Sequence, residues 1–164
     1  MNRRALLAAA ATAAVAGCAD ALDGPDAAEA ESMIVDHIND ARESAGGGSL
    51  AVDDDLRAAA RDHSRDMYDR GFFDHVDPNG RGPDDRVACR AGETLHSGDL
   101  GTMQNIDGSE TWNTRQTDEL AGYVDEGWRN SQQHREILVD PAWRWVGVGV
   151  YIGDDEFFVT AKFC

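Results

Sequence analysis

Two strand-like segments at the carboxyl end of the chain constrain its fold most. Residues 143–152 and 156–163 alternate apolar with small or polar side chains, and Gly153-Asp154-Asp155 lies between them. A period of two is typical of a strand with one buried face, and a short turn between two such runs predicts an antiparallel hairpin. The chain therefore ends in a β-hairpin.

Helical segments precede this hairpin. In three of them apolar side chains recur at spacings of three and four residues, which is typical of amphipathic helices. The predicted helices run from about 26 or 28 to 44, from the acidic cluster 53–55 to Gly71, from about 117 to 130, and from a Ser131 cap to Asp140. Residues 82–87 predict a short helical turn. The polar stretch from His96 to about Gln116 predicts a long surface loop.

The first residues predict export rather than a part of the fold. Arg3 and Arg4 precede an apolar run, Ala5 to Ala16, that is too short for a permanent membrane anchor. The arginine pair resembles a twin-arginine signal, and the small residues before Cys18 resemble a lipobox. The alternative is an ordinary secretory signal with a chance cysteine. We predict a signal peptide over 1–17, a lipidated Cys18 with an acidic tether over 18–28, and one domain over 29–164.

The charge of the chain is strongly negative. It has 31 acidic and 15 basic residues, a formal net charge of −16, and Lys162 is its only lysine. At molar salt the Debye length shrinks to about 3 Å, so that self-repulsion is screened. This composition predicts adaptation to a saline exterior, the alternative being a merely acidic secreted protein. It also opposes charge-driven binding to nucleic acid or to an anionic membrane face.

Two cysteines remain after Cys18, namely Cys89 and Cys164. In an exported protein an even remainder predicts one disulfide, which could stabilise the fold by up to about 4 kcal/mol. The alternative is two buried thiols.

Candidate site residues centre on His134. This histidine follows the core-type Trp128 by six residues and does not belong to a plain apolar stripe, so we expect partners from elsewhere in the chain. His75 is one candidate, because aromatic residues and a Pro/Gly turn hold its loop. Glu93, close in sequence to that loop, is another.

Other polar residues have simpler interpretations. Ser131 is better explained as a helix cap than as a nucleophile, because no elbow motif surrounds it. His63 is a weak candidate on an apolar helix face, and His37 is a packing histidine. The cluster 53–55 lacks the alternating spacing of a calcium loop and instead suits a helix start.

Six short pieces follow one another in a specific order: Ile38 to Arg42, Ala60 to Met67, Phe73-Asp74-His75, Gly92-Glu93, Trp128 to Ile137, and Val146 to Val150. Their order and spacing resemble the CAP superfamily (cysteine-rich secretory proteins, antigen 5, pathogenesis-related 1), also called the SCP domain, in its compact prokaryotic form. The resemblance covers roughly residues 34–163. It implies an α+β fold, an α-β-α sandwich with a small, mostly antiparallel sheet between helices.

The resemblance also implies a site. Many members have a cavity with two histidines, which bind zinc or another divalent cation, and two glutamates. His75 matches the first histidine, Glu93 the first glutamate and His134 the second histidine, so these three are the expected metal ligands. Ser131 stands near the position of the second glutamate and would line the cavity. Thr94 replaces a usual asparagine.

These features predict an extracytoplasmic binding or interaction domain, attached by lipid on Cys18 to the outer face of the cytoplasmic membrane or secreted. Its cavity would hold a divalent cation such as zinc, or a small apolar ligand. One alternative is a metal-dependent envelope hydrolase with Glu93 as its base, although Glu93 could instead orient a histidine. Another is a structural surface protein in which His75, Glu93 and His134 form a polar cluster without metal.

Overall fold

The computed structural model describes residues 26–101 and 114–164. Cys18, the predicted signal peptide and most of the predicted tether lie outside these residues. The helices and strands are α1 (Ala27–Ser44), β1 (Ala51–Val52), α2 (Asp54–Arg70), a 3-10 turn (Pro83–Asp85), β2 (Gly92–Asp99), α3 (Thr114–Asn130), α4 (Gln132–Val139), β3 (Trp145–Ile152) and β4 (Glu156–Phe163).

The strands form one sheet in the order β1-β3-β4-β2. β3 and β4 are antiparallel neighbours, which confirms the predicted hairpin. β2 is antiparallel to β4 on its other side, and the two-residue β1 is parallel to β3. The sheet is therefore small and mostly antiparallel.

α2 packs closely on one face of the sheet because two glycines of β3 leave room for its backbone. A Cβ added at Gly147 would lie 2.2 Å from the backbone nitrogen of Arg57, and one at Gly149 would lie 2.1 Å from that of Arg61. Ser64 Oγ also donates a hydrogen bond to the Gly149 carbonyl at 2.9 Å. Any side chain at these two positions would force α2 away from the sheet.

α1, α3 and α4 cover the opposite face. Their buried side chains meet those of the sheet in one core, whose members include Ile34, Ile38, Leu120, Val124, Leu138, Val146, Val159 and Phe163. Trp128 is 1% exposed near the end of α3, and its indole N–H donates to the Leu95 carbonyl of β2 at 2.9 Å. Helices on both faces of the sheet confirm the α-β-α sandwich.

The predicted caps of α2 and α4 agree with the structure. The Asp53 carboxylate caps α2 by accepting from the Leu56 N–H at 2.9 Å, and Gly71 ends α2 with a left-handed φ of 65°. Ser131 is the N-cap of α4. In the part of the chain that the structure describes, no helix is long and apolar enough to cross a membrane.

The predicted surface loop from His96 to Gln116 is wrong at both of its ends. Residues 96–99 belong to β2, and α3 begins at Thr114, three residues earlier than predicted. β2 contains two glycines and several polar residues, so its local strand preference is weak. Its pairing with β4 along all eight residues gives it the strand conformation.

The structure contains a disulfide between Cys89 and Cys164, with Cα atoms 6.1 Å apart, which confirms the predicted pairing. The disulfide attaches the segment before β2 to the end of β4. Both strands contribute to the site described next.

Candidate functional site

Glu93 is the centre of a buried polar cluster. It lies on β2 directly opposite Lys162 of β4, so that both side chains project toward the face covered by α2. Glu93 is 4% exposed and Lys162 is fully buried. The Lys162 ammonium donates to Glu93 Oε2, and Arg86 Nη1 donates to the same oxygen at 3.0 Å. His75 Nδ1 lies 3.0 Å from Glu93 Oε1.

These donors keep Glu93 ionised. Burial alone would raise the pKa of Glu93, because a carboxylate loses hydration in the interior. The hydrogen bond from His75 and the positive charges of Lys162 and Arg86 outweigh burial and hold the pKa of Glu93 at about 2. Glu93 is therefore a fixed negative charge at neutral pH.

His63 completes the buried side of this cluster. Its Nε2 lies 3.1 Å from the Asp74 carbonyl oxygen and 3.9 Å from Glu93 Oε1. Burial lowers the pKa of His63 to about 4, so its ring is neutral at pH 7. Since a carbonyl only accepts, Nε2 of this neutral ring is the protonated nitrogen. The weak sequence candidate thus belongs to the site as a packed, hydrogen-bonded residue.

The loop that presents His75 is held by its own polar contacts. The buried Asp77 carboxylate accepts hydrogen bonds from the backbone N–H groups of Asn79 and Arg81 and from Arg81 Nε at 2.8 Å. Arg86 Nη2 donates to the His75 carbonyl at 2.5 Å. The His75 side chain remains 41% exposed, so one edge of its ring faces solvent.

His134 lies in the first turn of α4. Its backbone N–H donates to Ser131 Oγ at 3.5 Å, which makes Ser131 a cap. The His134 Nδ1 atom is buried without a hydrogen-bond partner among the described residues. Burial lowers the pKa of His134, and the neighbouring His75 lowers it further. The ring is thus a neutral imidazole at pH 7.

His96 packs beside the site, on the other face of β2. Its ring makes an edge contact with Tyr123 at 5.0 Å and stacks at 6.4 Å on Phe157. A Cβ at Gly127 would lie 2.2 Å from His96 Nε2, so any side chain there would displace the His96 ring. Burial lowers the pKa of His96.

The structure places the predicted residue His75 against Glu93 and the predicted residue His134 beside Ser131. The positive charge of His75, when that ring is protonated, is one of the two causes that lower the pKa of His134, after burial. Both Glu93 oxygens already accept hydrogen bonds. Within residues 26–101 and 114–164, no group of three or more His, Cys, Asp or Glu side chains is arranged to hold a metal ion.

Sequence reasoning missed two residues of this cluster. Lys162 could have been found, because it is the only lysine of the chain and lies on the same face of β4 as Phe158 and Thr160, the face that α2 covers. Arg86 has no comparable signal, since it follows a 3-10 turn in an irregular segment.

Comparison with known sequences identifies the family. Residues 35–163 match the profile of the CAP family, described as the Cysteine-rich secretory protein family. The chain belongs to this family. YkwD of Bacillus subtilis (strain 168), an uncharacterized protein, is 29% identical over 119 residues. That match covers 73% of this chain but 41% of YkwD, so the chain spans less than half of this relative.

Solved structures share the CAP fold. An outer surface protein from Borrelia burgdorferi superimposes with a TM-score of 0.66 at 19% identity, over 84% of this chain and 93% of that one. An extracellular SCP-domain protein from Bacillus anthracis str. Ames gives a TM-score of 0.60 at 26% identity, over 82% of this chain and 39% of that one. The first of these proteins is described as an outer surface protein and the second as an extracellular protein with an SCP domain.

Proposed function

We propose that this CAP domain is an extracytoplasmic binding domain that holds a divalent cation through His75 and His134, with Glu93 as the group that orients His75. The observation that carries the proposal is the 3.0 Å contact between His75 Nδ1 and Glu93 Oε1.

This contact sets the tautomer of His75. An ionised carboxylate only accepts, so His75 Nδ1 carries the proton and Nε2 keeps its lone pair. Metal-binding histidines commonly donate their second ring N–H to a carboxylate in this way, which fixes the ring and raises its basicity. Glu93 suits this orienting role because Lys162 and Arg86 already occupy its oxygens.

His134 supplies the second imidazole. Its lowered pKa keeps the ring neutral, which is the form that binds metal, and its buried Nδ1 has no partner among the described residues. Imidazole ligands favour zinc, copper or nickel over magnesium or calcium, which prefer oxygen ligands. A bound zinc would act as a Lewis acid and leave positions for water or a ligand.

Binding suits this site better than hydrolysis. A general base at neutral pH needs a pKa near 7, whereas that of Glu93 is about 2. Protonating Glu93 would also leave Lys162 and Arg86 buried beside a neutral group. We therefore assign Glu93 to positioning.

Calorimetric titration with Zn²⁺ tests this proposal. The wild type should bind one zinc, and His134→Ala should weaken zinc binding by at least about tenfold, since one of two protein ligands is lost. His37→Ala, which removes a half-buried histidine of α1, is the matched control and should bind as the wild type does. No heat with the wild type, or equal affinity for His134→Ala, would contradict the proposal. A peptidase or esterase activity lost in Glu93→Ala would favour the hydrolase.

We also propose that the protein is exported and anchored by lipid on Cys18. The arginine pair and the small residues before Cys18 support this. Detergent phase partitioning of the expressed full chain should place the wild type in the detergent phase and Cys18→Ser in the aqueous phase. Aqueous partitioning of the wild type would contradict lipidation.

A saline exterior is a further part of the proposal. The net charge of −16 should make the fold more stable as salt screens repulsion. Thermal melting from low to molar salt should show a rising melting temperature, and an unchanged one would refute the adaptation.

A further inference from the structure

We propose a second binding site, next to the cation site, in which a cavity beside Trp145 takes a basic peptide segment with an apolar residue between two cationic ones.

The cavity lies at the end of the sheet where β3 begins and β4 ends. It has a volume of about 400 Å³, within the usual range for ligand sites. Leu56, Val87, Ala88 and Trp145 form its apolar wall together with the disulfide. The walls are fixed, because Trp145 and Cys164 exchange two backbone hydrogen bonds of 3.0 Å.

Trp145 gives this cavity an unusual exposed surface. The side chain is 49% exposed, whereas Trp128 is almost fully buried. An exposed indole presents both an apolar surface and a π face that attracts cations. It therefore suits a ligand that combines an aliphatic part with a guanidinium or ammonium group.

The charge around the cavity favours a cationic ligand. Asp53 and Asp55 line it, and its one lining cation, Arg86, is already bound to Glu93. Among the described residues Asp55 has no ion pair. The positive end of α2 offsets only about half a charge. The cavity thus offers negative charge beside an apolar wall.

An adjoining cleft extends this charge along α2. It has a volume of about 570 Å³ and shares Asp55 and Arg86 with the cavity. Its other lining acids are Asp62, which has no ion pair in the described part of the chain, Asp66, Asp69 and Asp85. Its other lining cations, Arg65 and Arg81, are paired with Asp69 and Asp77. A peptide anchored at Trp145 could place a second basic side chain over this cleft.

Charge complementarity selects a basic peptide over the other occupants. A second copy of the chain would bring its own net charge of −16 toward this surface. An anionic membrane would be repelled in the same way. In a peptide with an apolar residue flanked by basic ones, the apolar side chain would pack on Trp145 and the basic side chains would pair with the aspartates.

Titration with synthetic peptides tests the proposal. The probes are acetyl-Arg-Leu-Arg-amide, acetyl-Glu-Leu-Glu-amide and acetyl-Arg-Gly-Arg-amide, added to the full folded chain with EDTA so that metal binding plays no part. The readout is the backbone amide NMR shifts of Ala88 and Leu56, at the lowest salt concentration that keeps the fold intact. The Arg-Leu-Arg peptide should bind, the glycine peptide should bind more weakly, and the acidic peptide should leave the shifts unchanged.

Variants locate the binding. Trp145→Thr should weaken the Arg-Leu-Arg peptide about fivefold to tenfold, and Asp55→Asn about threefold. Asp40→Asn, which neutralises an exposed aspartate of α1, is the control and should bind as the wild type does. Thermal melts verify the fold, and if Trp145→Thr does not fold, Asp55→Asn and the peptide series decide.

Three results would overturn the proposal. The first is no shift with the Arg-Leu-Arg peptide, and the second is equal binding of the basic and acidic peptides. The third is a dimer in sedimentation velocity that Trp145→Thr abolishes, because a second copy would then occupy the cavity.

Discussion

Replacing the buried charge pair of Glu93 and Lys162 should reveal strong coupling between the two residues. The pKa of Glu93 is about 2 in the folded protein, against an ordinary value of 4.5. At about 1.4 kcal/mol per pKa unit, this difference corresponds to about 3–4 kcal/mol of folding free energy at neutral pH. Glu93→Gln should therefore cost about 3–5 kcal/mol, because it also leaves Lys162 buried without its carboxylate.

Lys162→Met should cost about 3 kcal/mol, since Arg86 and His75 still hold Glu93 in that variant. The double variant Glu93→Gln/Lys162→Met removes both charges and replaces them with groups of similar size. Its loss of unfolding free energy should be smaller than the sum of the two single losses by at least about 2 kcal/mol.

Urea unfolding followed by tryptophan fluorescence measures this cycle, at pH 7, at fixed salt and with the disulfide intact. Glu43→Gln, which neutralises an exposed glutamate of α1, is the matched control and should change the unfolding free energy by less than about 0.5 kcal/mol. Single losses that add to within about 0.5 kcal/mol in the double variant would refute the coupling. A cost below about 1 kcal/mol for Glu93→Gln would do the same.

Three further predictions concern stability. Gly149→Ala should destabilise the fold by about 3 kcal/mol, because the new Cβ would lie 2.1 Å from the α2 backbone. Gly122→Ala, whose Cβ would lie in open space on α3, should stabilise the fold by up to about 1 kcal/mol. Melting temperatures that change in the same direction in both variants would contradict this. Replacing Cys89 and Cys164 by serine should cost about 2–4 kcal/mol in urea unfolding, and an unchanged midpoint would show that the disulfide does not stabilise the fold. The pKa of Glu93 is lower in the folded than in the unfolded chain, so ionised Glu93 stabilises the fold above pH 4.5 and this stabilisation is lost as the pH falls toward 2. The unfolding free energy of Glu93→Gln should therefore fall less than that of the wild type over this pH range.

The helices and the hairpin could be predicted because their signals are local. Asp53 and Gly71 delimit α2, and the alternation around Gly153 defines the hairpin. β2 could not be predicted, because its eight residues become a strand only through pairing with β4, more than fifty residues further along the chain. Such nonlocal pairing leaves no periodic pattern in a polar, glycine-containing segment.

The residues of the site could be predicted from the sequence, but their contacts could not, because those contacts also depend on nonlocal strand pairing. His75, Glu93 and His134 could be named from the order of short motifs in the sequence. The use of Glu93 as a hydrogen-bond acceptor for Lys162 depends on the register of β2 against β4, which places the two residues opposite each other. The sequence alone does not set that register, so it could not distinguish a metal-binding carboxylate from an orienting one.

Side-chain NMR of the histidines tests the cation site most directly. Long-range proton–nitrogen spectra of the nitrogen-15 labelled protein report which ring nitrogen is protonated and which binds metal. Before metal is added, His75 should carry its proton on Nδ1, facing Glu93. One equivalent of Zn²⁺ should shift His75 Nε2 and one ring nitrogen of His134, and leave His37 unchanged. A His75 ring protonated on Nε2, or a zinc titration that shifts neither His75 nor His134, would contradict the proposed cation site.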